Sequence, residues 1–111
     1  MTMISYSDFE KVEIRVGTIL SATEFPEARN PSYKLEIDFG SFGIKKSSAQ
    51  ITVFYSKEEL VGKQIVAVIN FPVKQIANYF SECLVLGVVG DDKVITLLHP
   101  ETKVENGLRI L

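Results

Sequence analysis

Tyr33, Leu35, Ile37 and Phe39 alternate without exception with Lys34, Glu36 and Asp38. A period of two is the pattern of a strand with one buried and one wet face, because successive side chains leave opposite sides of a pleated backbone. A helix would spread the same residues around its circumference and bury a charge with them. Gly40-Ser41-Phe42-Gly43 follows as a hairpin loop, where glycine supplies the positive φ that tight turns need. The return strand is expected from Ile44 to Phe54, with Ala49, Ile51 and Val53 on one face and Lys46, Ser48, Gln50 and Thr52 on the other.

The rest of the chain repeats this theme. Val12, Ile14 and Val16 alternate with Glu13 and Arg15, and Gly17 predicts a bulge or bend before Ile19 and Leu20. Phe25 to Pro31 holds two prolines and is a loop. Ser56-x-x-Glu59 is a capping box that starts a helix little more than one turn long, ended by Gly62. Gln64 to Phe71 is a short, nearly continuous apolar run, expected to be a strand buried on both faces and stopped by Pro72. Val73 to Ser81 is mixed and is expected to include a turn of helix. Glu82 to Val89 and Lys93 to Leu98 form a hairpin across Gly90-Asp91-Asp92. The tail ends in Leu108, Ile110 and Leu111, a strand docked either in the core or in a dimer interface.

Strand, strand, strand, short helix, strand, strand is the order of an all-β, five-stranded Greek-key OB-fold barrel with a helix between its third and fourth strands, here with terminal extensions. An SH3-like or other small barrel is the alternative. One domain spanning residues 1–111 is expected from the length. With 46% hydrophobic and 23% charged residues the chain is an ordinary globular one, which excludes a disordered tail or coiled coil. Cys83 and His99 are the only cysteine and histidine, so no disulfide within the chain and no usual zinc site can form. No apolar run approaches a spanning helix and the start lacks a secretion signal, so a cytoplasmic protein without cofactor or metal is expected.

The net charge of −2 is far from the basic footprint of a nucleic-acid binder, but its distribution is uneven. Residues 28–81 carry +3 and both flanks are acidic; Gln64 to Ser81 contains no acid at all. An OB-fold holds its ligand on the face of strands two and three, between the loops joining strands one to two and four to five. Arg29 falls in the first loop, Lys34 on strand two, Lys45 and Lys46 on strand three and Lys74 in the last loop. Cations scattered in sequence thus converge on one expected site. The plain alternative is a solvated surface, since strand lysines commonly face water.

The runs Val12-Glu-Ile-Arg-Val-Gly17, Pro31-x-x-Lys34-Leu35-x-x-Asp38-x-Gly40 and Ser81-Glu82 before an apolar strand resemble the tRNA-binding OB domain family. Its members stand alone or are appended to methionyl- and phenylalanyl-tRNA synthetases. Lys45-Lys-Ser-Ser-Ala-Gln-Ile-Thr52 and Asn70-Phe-Pro-Val-Lys-Gln-Ile-Ala77 are similar to the CsaA-type export chaperones within that family. The resemblance runs from about Asp8 to Leu111 and departs at Cys83-Leu84, where tRNA-binding relatives usually carry Gly-Met. It implies a homodimer built through the terminal extensions, unfolded or secretory polypeptides as partners, and tRNA as a partner of some relatives. The RNA contacts it implies fall on Arg29, Asn30, Lys34, Lys46, Gln50, Lys74 and Ser81, to which the charge pattern adds Lys45.

Polypeptide contacts are implied near Asn70, Phe71 and Pro72, and Ile76, Tyr79 and Phe80 extend that apolar set. These residues form a groove for extended peptide, pack in the core or dimer seam, or stack on a base. Cys83 and His99 could approach each other across the last hairpin as nucleophile and base. A catalytic pair also needs a cleft, an orienting group and an oxyanion site, and Cys83 precedes Leu-Val-Leu like a buried cysteine. No enzyme is expected. The reading is a dimeric polypeptide-binding chaperone assisting protein export, with tRNA-binding capacity; the alternative is a primarily structure-specific tRNA-binding protein.

Overall fold

The computed structural model describes residues 1–111. A five-stranded antiparallel sheet curls into a nearly closed barrel in the strand order β3-β2-β1-β4-β7. Its strands are β1 (Ile14–Glu24), β2 (Tyr33–Asp38), β3 (Ile44–Ala49), β4 (Gln64–Val68) and β7 (Leu84–Val85). Two small hairpins flank it: β5 (Lys74–Ile76) with β6 (Tyr79–Ser81), and β8 (Gly87–Val89) with β9 (Ile95–Leu97). Helix α2 (Lys57–Leu60) lies between β3 and β4. This is the expected OB-type barrel with its short connecting helix.

The alternation in β2 is realised in full, with Tyr33, Leu35, Ile37 and Phe39 all buried. They meet Ile19, Ile65, Ala67 and Leu60 in one core. The Ser56 capping box forms with both of its hydrogen bonds: the Glu59 amide donates to Ser56 Oγ and the Ser56 amide donates to the Glu59 carboxylate. Leu60 plugs the barrel end from that helix and is fully buried.

Five local expectations are corrected. The bulge in β1 falls between Ile19 and Ser21, three residues beyond Gly17. Gly17 stays in the ladder opposite Ile65, and its role is steric: a Cβ there would sit 2.7 Å from both Ile37 Cγ2 and the Phe39 ring. Strand β3 ends at Ala49; Ile51 remains buried, but Val53 is exposed. Strand β4 ends at Val68, opposite Ile14 where β1 begins, so its ladder has run out before Pro72 is reached. The Val73–Ser81 segment is the β5–β6 hairpin, with no helical turn, and its corner is Ala77 at φ 52°. The single strand expected from Glu82 to Val89 is two, because the chain changes partner: β7 pairs with β4 and β8 with β9.

The termini are tied to the barrel. Ser5 and Asp8 form a second capping box that starts α1 (Tyr6–Glu10). The tail lies along β1: Gly107 N–H bonds Val16 C=O, Val16 N–H bonds Leu108 C=O and Ile110 N–H bonds Ile14 C=O. The Gln64 side-chain amide holds Val104 by both its N–H and its C=O. Glu13 accepts from Arg15 and pairs with Arg109, and the Arg15 hydrogen bond is the main cause that holds its carboxyl below the usual range. No helix is long and apolar enough to cross a membrane.

Candidate nucleic-acid interface

Alternation along β2 and β3 decides which cations share a face. Ser47 and Ala49 stand opposite Leu35 and Tyr33 and turn inward with them, so Lys34, Lys46 and Ser48 turn outward. The β5–β6 hairpin folds over this outer face, with β6 against β3. It brings Tyr79 between the lysines: Lys34 Nζ lies 5.7 Å and Lys46 Nζ 5.8 Å from the Tyr79 ring centre. Lys34 Nζ is also 5.5 Å from the Phe25 ring, which meets Tyr79 edge-on at 5.6 Å. The Tyr79 hydroxyl donates to the Leu35 carbonyl at 3.0 Å, fixing the ring. Burial pushes the Tyr79 hydroxyl up to about 12, with Glu36 and Glu82 adding to the shift, so it stays a neutral donor.

Beside this face a groove of about 750 Å³ runs between the end of β3 and the β7–β9 region. Arg29, Asn30, Gln50 and Lys74 line it, and so does Lys93, which lies outside the basic stretch of residues 28–81. No acidic residue lines it. None of Arg29, Lys34, Lys46, Lys74 or Lys93 is among the residues that form ion pairs. Unpaired cations are free to meet an external anion without first breaking a bond.

The other candidates separate. Lys45 shares the inward-facing parity of Ser47, on the opposite side of β3 from Lys46. Ser81 pairs with Lys74 in the hairpin ladder, but its hydroxyl donates to the Cys83 carbonyl. Asn70 is a clamp: its side chain accepts from the Glu13 amide and donates to the Lys11 carbonyl. Phe71, Pro72 and Phe80 are exposed, Ile76 lines the groove and Tyr79 belongs to the lysine cluster. The six apolar candidates therefore make no single site. Two residues went unassigned by sequence. Phe25 looked like loop punctuation before Pro26, and Lys93 was masked by Asp91 and Asp92 beside it.

Cys83 and His99 serve different surroundings. The Cys83 thiol is buried at the β3–β7 seam, 3.7 Å from the Lys46 carbonyl, and burial pushes it up to about 11. It is held as a thiol, which is a poor nucleophile. His99 is exposed and its Nδ1 lies 2.8 Å from the Pro100 carbonyl.

A family model described as "Putative tRNA binding domain" matches residues 14–109. The chain belongs to the tRNA-binding domain family. Within that family it is similar to the crystal structure of chaperone CsaA from Bacillus anthracis str. Ames, at 49% identity and a TM-score of 0.95, covering 99% of this chain and 100% of that one. The CsaA chaperone protein from Picrophilus torridus is 53% identical with a TM-score of 0.91, covering 98% of this chain and 100% of that one. The methionine–tRNA ligase of Pelodictyon phaeoclathratiforme is 35% identical over 108 residues, 97% of this chain and 15% of that protein. The chain spans about 15% of the length of the ligases it matches, and what they share is a tRNA-binding domain.

Proposed function

We propose that this chain binds RNA of the tRNA class through the outer face of β2 and β3 and the groove beside it. The observation that supports this reading is the gathering of Arg29, Lys34, Lys46, Lys74 and Lys93 around one face, without ion-pair partners, in a protein of net charge −2. Each ammonium or guanidinium neutralises a phosphate and releases condensed counterions, which is a favourable term at low salt. Tyr79 and Phe25 keep the lysines presented, and the Asn30 and Gln50 amides are placed to bond sugar or base edges. Recognition on such a face is of shape and backbone more than of sequence.

A second reading is a CsaA-type polypeptide-binding chaperone that assists export from the cytoplasm. It is supported by the 49% and 53% identity to CsaA chaperones and by the exposed Phe71, Pro72 and Phe80. Homodimerisation is part of this reading. Met1, Met3 and Ile4 at one end and Leu108 and Leu111 at the other are exposed apolar residues that a second copy would cover.

The test is a titration of labelled bulk tRNA at low and high salt, with reduced, unfolded polypeptide as the parallel ligand. The RNA reading expects tRNA affinity that falls steeply with salt and is lost with Lys46→Ala plus Lys74→Ala. Polypeptide binding indifferent to salt, with no tRNA signal even at low salt, would leave the chaperone reading alone.

A further inference from the structure

The barrel closes between β3 and β7, and it closes at one end only. Glu82 N–H donates to the Lys46 carbonyl at 2.8 Å, Lys46 N–H to the Glu82 carboxylate at 2.9 Å and Ser47 Oγ to the Cys83 carbonyl at 2.9 Å. Further along β3 no hydrogen bond joins the two strands. Phe39 N–H bonds Gly43 C=O, so the directly bonded β2–β3 partners continue through Ile37–Lys45, Leu35–Ser47 and Tyr33–Ala49. The intervening residues turn their backbone groups away from β2. Lys46 spends its pair on the closure, whereas Ser48 N–H and C=O meet no partner. Across the groove, Leu86 N–H bonds Val66 C=O, which by the same alternation turns the Val85 backbone away from β4 and toward β3.

Two unpaired strand edges therefore face one another across the groove. Both strands run the same way, since β3, β2, β1, β4 and β7 alternate in direction. A chain entering antiparallel to β3 would extend its ladder from the Ser48 edge, with Val85 on the opposite wall of the groove. The walls it would meet are apolar at Ile51, Ile76, Val85, Ile95 and Leu97, and no aromatic ring lines them. RNA bases seek stacking partners, so these walls suit peptide side chains better. Arg29, Lys74 and Lys93, with no acid, give the groove a preference for a peptide that carries carboxylates.

We propose that the β3–β7 seam binds an extended, apolar–acidic peptide segment by strand addition to the Ser48 edge. This rests on the polypeptide-binding reading and moves its site from the exposed Phe71–Pro72 loop to the seam.

The probe is a fluorescein-labelled peptide of alternating valine and glutamate, measured by anisotropy against the intact protein. Its counterpart is the same peptide N-methylated at alternate amides, which keeps every side chain and removes backbone donors. Strand addition expects the methylated peptide to bind about tenfold more weakly or worse, the equivalent of one net hydrogen bond. Ser48→Pro removes the edge N–H where no β2 bond is lost, and should weaken the unmodified peptide as much. A valine–lysine peptide should bind more weakly than valine–glutamate. Methylated and unmodified peptides binding within twofold of each other would overturn the proposal, whether or not Ser48→Pro folds. Loss on Phe71→Ala plus Phe80→Ala with no effect of Ser48→Pro would also overturn it, leaving polypeptide binding at the other loop. Ser48→Pro releasing tRNA in place of peptide would make the seam a nucleic-acid site and overturn it. Absence of binding by both this peptide and reduced, unfolded polypeptide would sink the polypeptide reading as well.

Discussion

Replacing Tyr79 separates holding the lysines from merely packing beside them. Tyr79→Ala removes the 3.0 Å bond to the Leu35 carbonyl, the edge contact with Phe25 and the ring under both Lys34 and Lys46. One net hydrogen bond is worth about 1 kcal/mol, an aromatic pair about 1 and an exposed cation–ring contact about 0.5 each, together about 3 kcal/mol. In a domain of this size that lowers Tm by about 12 °C. Tyr79→Phe loses only the hydroxyl bond and should cost about 1 kcal/mol, or about 4 °C. Two lysines freed from the ring must be ordered again on RNA, at about 1 kcal/mol each, so Tyr79→Ala should weaken tRNA about 30-fold. Because both charges remain, the slope of log affinity against log salt should not change, whereas Lys34→Ala plus Lys46→Ala should reduce it by about 1.4 to 1.8. Circular dichroism melts and anisotropy titrations across a salt series read all four quantities. The reasoning fails if Tyr79→Phe loses as much RNA affinity as Tyr79→Ala, or if Tyr79→Ala flattens the salt slope.

Gly17→Ala should be destabilising by about 1–3 kcal/mol, because its Cβ would sit within 2.8 Å of Ile37 and the Phe39 ring inside a filled core; a melt within 1–2 °C of the parent would contradict that packing. Cys83 has its ordinary value of 9.0 raised to about 11, so its neutral form is favoured on folding. That stability is complete below about pH 9 and is lost as pH rises toward 11, and Cys83→Ala should shallow the alkaline decline in Tm over that window.

What the sequence made legible follows from how local each cause is. The β2 alternation and the Ser56 capping box are decided within a few residues, and both are present as expected. Gly17 announced an unusual backbone position, but the reason lay in Phe39, which no local window around Gly17 contains. The Val73–Ser81 segment lacked a clean period because one face covers β2 and β3 while Phe80 and Gln75 face out from a hairpin of six paired residues. Lys34 and Lys46 could be placed on one face because the barrel order says which strands meet, whereas Lys45 takes the opposite parity on β3. Lys93 was missed because a turn flanked by Asp91 and Asp92 reads as neutralised charge, although the turn carries its ammonium to the groove. The open seam could not be read at all, since it depends on where β7 gives way to β8.

The seam bears on whether the two proposed ligands coexist. Arg29 and Lys74 belong to the proposed RNA site, and the same two residues line the groove where a peptide strand would lie. A cation neutralising a phosphate is not available to a peptide carboxylate. The two readings together therefore expect competition: saturating tRNA at low salt should displace the valine–glutamate peptide, and raising the salt should restore peptide binding as RNA leaves. Lys34→Ala plus Lys46→Ala, which lie off the groove lining, should weaken RNA while sparing peptide, and so relieve the competition without touching the seam. Simultaneous binding of both ligands, seen as an additive mass in sedimentation, would mean that RNA is held by the Lys34–Lys46–Tyr79 cluster alone and that Arg29 and Lys74 serve the peptide.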